Sequence, residues 1–109
     1  MKTENYKQLY RDLLDRILIR DGQSSQAQRQ ASFNNAGLSQ PLSNLIDKVA
    51  HLAYKVTDDD VNAAKQAGYT EDQLFELMIC GAVGQASRQY ESGLAALTEV
   101  MKEGGSDAP

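Results

Sequence analysis

The sequence predicts an all-α fold: a compact bundle of four or five helices, completed by one long C-terminal helix. Three observations carry this expectation. Apolar residues recur at three- and four-residue intervals along most of the 109 residues, the period of a helix face. Proline occurs only at Pro41 and Pro109, so long helices can run without interruption. No segment shows the alternating, β-branched pattern of a half-buried strand.

Each element has its own signature. Residues 4–20 place Tyr6, Leu9, Tyr10, Leu13, Leu14, Ile17 and Leu18 on one helical face, and Asp21-Gly22 offers a left-handed stop. Residues 23–32 are rich in Gln and Ser. They read equally as a short helix capped by Ser24 or Ser25 and stopped by Gly37, or as an irregular excursion. Ser39-Gln40-Pro41 reads as an N-cap and first turn for a third helix, whose stripe runs Leu42, Leu45, Ile46, Val49, Leu52, Ala53, Val56. Thr57 followed by three aspartates caps a short helix with Val61, Ala64 and Ala67 inward and Gly68 at its end. Thr70 and Gln73 form a capping box that starts the last helix, expected over 71 to about 102.

This last helix is the centrepiece. Leu77–Gly84 is nonpolar all round, as in a helix surrounded by neighbours, and Tyr90, Leu94, Leu97 and Met101 continue one stripe beyond it. Gly81, Gly84 and Gly93, with Ala82, Ala86 and Ser87, leave a small-residue surface for close helix approach; a break at Gly84 or Gly93 is compatible with the same glycines. The pattern gives a single domain over residues 1–103 and a disordered tail over 104–109.

Composition narrows the function classes. Net charge is −4, with Lys and Arg dispersed among acids, so the basic face of a nucleic-acid binder is not expected. The longest nonpolar run, Leu77–Gly84, is far short of the roughly 20 residues that cross a bilayer, and the N-terminus lacks a hydrophobic signal core. Cytoplasmic residence without membrane association is the expectation. A single cysteine, Cys80, precludes an intrachain disulfide and any zinc site needing two thiolates.

The remaining polar candidates are few. Asp58, Asp60 and Asn62 open like a calcium loop, but Ala63 stands where glycine is needed and Tyr69 where a bidentate glutamate is needed, so helix capping explains the run and no metal is expected. His51 falls opposite the apolar stripe of its helix, four residues after Asp47, as a solvated histidine would. Cys80, inside the apolar run, reads as a core thiol. Glu76 and Arg88 lie on the helix that otherwise reads as buried, where an unpaired charge is costly. They are separated by about 18 Å along a continuous helix, so each is expected to meet a group on another element or another subunit. No phosphate loop, dinucleotide fingerprint, nucleophile elbow or zinc-protease motif occurs, and no cofactor is implied.

Residues Val56-Thr-Asp-Asp-Asp-Val61, Ala67-Gly-Tyr-Thr-Glu-Asp-Gln-Leu-Phe-Glu-Leu77, Ala82-Val-Gly84, Arg88 and Gly93-Leu94 follow a recognisable order. They run from a short helix through a glycine turn to a capped acidic start and a long small-residue helix. From about Leu42 to Leu97 the chain thereby resembles the alkylhydroperoxidase D-like / carboxymuconolactone decarboxylase superfamily. Redox members of that superfamily use a C-x-x-C pair, a histidine and an upstream glutamate. With Glu76 set on that glutamate, the cysteine positions fall on Arg88 and Glu91, and residues 1–56 contain no cysteine. The resemblance therefore implies a non-redox member, without dithiol peroxidase activity, assembled as a trimer or hexamer and serving as a binding or accessory protein. It also implies an alternative, an enzyme of the lactone decarboxylase type. There Glu76, Arg88 and His51 would act on a small-molecule ligand as cation and proton-transfer groups.

Overall fold

The computed structural model describes residues 3–107, and side chains over 7–102. Five helices and, among the described residues, no strand make up the fold. α1 (Thr3–Leu14) passes directly into a π-helical turn, Asp15–Ile19. Then follow α2 (Gln26–Asn34), α3 (Leu42–His51), a 3-10 turn at Ala53–Lys55, α4 (Asp58–Gln66) and α5 (Glu71–Asp107). The all-α class and the long C-terminal helix stand as the residue pattern predicted. The tail expected over 104–109 overlaps the end of α5 and finishes outside the described residues.

The starts of α2, α4 and α5 follow the capping residues. Ser25 Oγ accepts the Gln28 amide at 3.1 Å, which resolves the Gln/Ser-rich segment as a helix. Thr57 and Asp60 form a reciprocal capping box at the start of α4, with amide-to-side-chain distances of 3.3 and 2.9 Å. Thr70 and Gln73 do the same for α5 at 3.1 and 2.9 Å.

The core is built from Leu42, Leu45 and Ile46 of α3, Ala64 of α4, and Leu74 and Leu77 of α5, with Val49, Val56, Val61, Tyr69 and Met78 packed around it. α2 and α3 both lie across the N-terminal half of α5. The glycines of α5 make this possible. A Cβ on Gly84 would overlap the Phe33 carbonyl oxygen, so only glycine lets the last turn of α2 touch the α5 backbone. α5 itself is unbroken at both Gly84 and Gly93.

Several local readings change. α3 begins at Leu42 with Pro41, not Ser39, at its N-cap and no side-chain cap hydrogen bond there; the Ser39 carbonyl accepts from the Ser43 amide at 3.0 Å. α3 ends at His51 rather than carrying its stripe to Val56, because Leu52 leaves the helical region (φ −140°, ψ 52°) and a 3-10 turn follows. Ala67 is exposed, being the C-cap of α4 rather than a core position. α2 is stopped by Asn35 in the left-handed conformation (φ 51°), with Gly37 (φ 80°) following in the loop.

Beyond Arg88 the bundle gives way to a projecting arm. Every described residue from Gln89 to Lys102 is exposed, and so are the N-terminal turns of α1 from Lys7. The radius of gyration is 17.3 Å and the extents are 63 × 27 × 23 Å. A fully compact chain of this length would have a radius near 13 Å.

Candidate functional site

The two charges that the sequence left unpartnered hold the two ends of α2. Glu76 accepts hydrogen bonds from the Gln23 amide at 2.6 Å, the Ser24 amide at 3.4 Å and Ser24 Oγ at 3.2 Å, just ahead of the helix N-terminus. Arg88 Nη1 donates to the Phe33 carbonyl at 2.5 Å, in the last turn of the same helix, and Nη2 donates to Gln85 Oε1 at 3.0 Å. An anion before an N-terminus and a cation at a C-terminus both suit the helix macrodipole. Twelve residues of α5 rise about 18 Å, enough to span α2 from its leading loop to its end. Each charge meets another element, and the two do not meet each other.

Gly22 owes its place to the same contact. It does not supply a left-handed cap; a Cβ there would overlap Glu76 Oε1 and lie 3.1 Å from its carboxyl carbon. The loop needs a residue without a side chain so that the carboxylate can reach the two amides.

A third charge, Arg29 of α2, carried no signal in the sequence, since one arginine in a Gln/Ser-rich stretch reads as solvated. It is buried, and its Nη1 donates to the carbonyls of Ile17 at 3.3 Å and Arg20 at 2.5 Å. Those carbonyls are left over where the π-helical turn ends, with the Arg20 amide bonded to Asp15 O at 3.1 Å. Arg29 Nε and Ser32 Oγ are buried without a hydrogen-bond partner. Beside Arg29 lies a cleft of about 310 Å³ with a mixed lining, Arg16, Asp21, Gln23, Arg29 and Glu76 together with the apolar Ile17 and Ile79.

Cys80, one turn beyond Glu76, is buried, with Sγ 3.5 Å from the Ile17 carbonyl. Burial pushes its thiol up to about 11; nearby Arg29 opposes this and Glu76 adds to it. His51 is half exposed at the end of α3, with Nε2 3.8 Å from Asp47 Oδ1. Glu76, Arg88 and His51 thus have separate partners and share none. Among the described residues no group of three or more His, Cys, Asp or Glu is placed to hold a metal ion.

The second concavity is larger and apolar. A groove of about 600 Å³ runs between α1 and α5, lined by Tyr10, Leu13, Val83, Ala86 and Tyr90, with Lys7 at its rim. Tyr10 donates to Ser87 Oγ at 2.6 Å across it. The apolar stripe of α5 continues from this groove along the arm, where Tyr90, Leu94, Leu97 and Met101 are 69, 50, 55 and 66% exposed. No described helix is long and apolar enough to cross a membrane.

No family model, curated protein or solved structure matches this chain.

Proposed function

We propose that the chain is a homo-oligomeric binding or accessory protein, a member of the alkylhydroperoxidase D-like / carboxymuconolactone decarboxylase superfamily that works without redox chemistry. The observation that carries this reading is the outward-facing apolar stripe of α5. Large side chains at half to two-thirds exposure, continuous with an apolar groove, mark an association surface rather than a solvated face. The lone buried thiol, raised to about 11, supports chemistry that does not depend on Cys80.

The polar residues favour the same reading over lactone decarboxylation. A decarboxylase would bring a cation and a proton-transfer group to one substrate, whereas Glu76 and Arg88 secure opposite ends of α2. The test is the absolute mass in solution by size-exclusion chromatography with light scattering. A trimer, hexamer or other defined assembly is expected. A monomer at about 100 µM would refute the proposal, since an interface of ordinary affinity is saturated there.

A further inference from the structure

We infer that the cleft beside Arg29 is a binding site for a small zwitterion, a free α-amino acid with an aliphatic side chain. This goes beyond the homo-oligomer reading and does not rest on it.

The first support is a buried charge without a counter-ion. Arg29 is 4% exposed, and a charge so enclosed is ordinarily paired. Its partners here are neutral, the Ile17 and Arg20 carbonyls, and both are served by Nη1. A guanidinium has donors on all three nitrogens. Nε is enclosed without a partner, whereas Nη2 is neither enclosed nor hydrogen-bonded. Because Arg29 lines the cleft, that remaining nitrogen opens into it. A ligand carboxylate would accept from Nη2 and supply the missing counter-charge.

The second support is the pattern of sign. Arg16 also lines the cleft, and so do two carboxylates, Asp21 and Glu76. Among the described residues no ion pair joins either arginine to either carboxylate. A simple anion would therefore meet repulsion as well as attraction, whereas a ligand of both signs finds a complement for each end. Glu76 has room for an ammonium group. A carboxylate accepts at about four sites, and of the three donors that reach Glu76 only the Gln23 amide is at Oε2.

The third support is size. At about 30 Å³ for each water-sized group, a cleft of about 310 Å³ holds roughly ten non-hydrogen atoms, the size of leucine. Half-buried Ile17 and Ile79 give the aliphatic end an apolar wall.

The test is a titration of the full chain with L-leucine, followed by methyl NMR of its four isoleucines. Saturable shifts are expected at Ile17 and Ile79, with a Kd below about 1 mM, while Ile46 in the core stays in place. 4-Methylpentanoate lacks the ammonium and 3-methylbutylamine lacks the carboxylate, so each should bind roughly tenfold or more weakly. Arg29→Lys, with circular dichroism confirming the fold, should also lose roughly tenfold or more. Arg16→Gln and Asp21→Asn replace exposed side chains that make no hydrogen bond among the described residues, so the fold is kept; each should weaken binding about two- to fivefold. No saturable shift at Ile17 or Ile79 with about 10 mM leucine would overturn the inference and leave the homo-oligomer reading standing. Analogues that bind as tightly as leucine would overturn the zwitterion. Binding indifferent to both Arg16→Gln and Asp21→Asn would overturn the site, whether or not Arg29→Lys folds.

Discussion

A methyl group added at Gly84 measures how tightly α2 is held on α5. Its Cβ would overlap the Phe33 carbonyl oxygen and sit 2.7 and 2.9 Å from the Phe33 carbonyl carbon and Cα. All three are backbone atoms, so no rotamer change gives relief, and the helices must part by on the order of 1 Å to regain ordinary contact. Overpacking of this kind costs about 1–3 kcal/mol. Parting also stretches the Arg88–Phe33 hydrogen bond, now 2.5 Å, and bonds to charged groups contribute about 1.5–3 kcal/mol. Alanine returns about 0.5–1 kcal/mol of helix propensity. The net expectation for Gly84→Ala is a loss of about 2–5 kcal/mol, or a fall in Tm of roughly 10–30 °C. Gly81→Ala, whose Cβ would lie 3.0 Å from Ile46 Cγ2 in the core, should lose about 1 kcal/mol, less than Gly84→Ala because a side chain rather than backbone must yield. Gly93→Ala, with nothing within 4 Å, should gain about 0.5–1 kcal/mol. Urea unfolding followed by helical circular dichroism, at one protein concentration for all variants, gives the ranking. A Gly84→Ala protein as stable as wild type would refute the close crossing of α2 over α5.

Three further outcomes follow from the same contacts. Arg88→Leu and Glu76→Gln should each lose about 1–3 kcal/mol, and the double variant less than their sum, because both hold the same helix; additive losses in urea titrations would argue against α2 docking as a unit. The Lys48 ammonium, 2.9 Å from both Asp60 oxygens, holds that carboxyl below its ordinary range, helped by the Thr57 amide. A depressed carboxylate stabilises the fold above its unfolded pKa and loses that contribution as pH falls through the folded value. Tm should therefore drop below about pH 4, and the drop should be shallower in Asp60→Asn; an unchanged acid limb in that variant would refute the assignment. Cys80, with its thiol near 11, should react with a disulfide reagent at pH 8 roughly a hundredfold or more slowly than an exposed thiol, and at the normal rate once unfolded. Rapid native-state labelling, or peroxide consumption lost in Cys80→Ser, would contradict a core role.

The helical class, the capped starts at Thr57 and Thr70, and the core stripe of α3 are all legible along the chain. These are local properties: a cap is made within four residues, and a 3.6-residue period is visible along one segment. The residue pattern also marks Glu76, Arg88 and Cys80 as polar or reactive groups on a helix meant to be buried, because a charge in an apolar context stands out. What those groups do is set by the packing of the helices. Glu76 and Arg88 became the two clamps of α2 because that helix lies along α5, a distance relation between residues more than fifty positions apart. Arg29 was invisible for the converse reason: its environment is made by the carbonyls at the end of the π-helical turn, which no periodicity announces. The stripe from Tyr90 to Met101 was legible as apolar, but periodicity records only that a face is apolar. Which part of it α1 covers depends on how the two helices are set against each other, Tyr10 against Ser87, a relation between residues 77 positions apart.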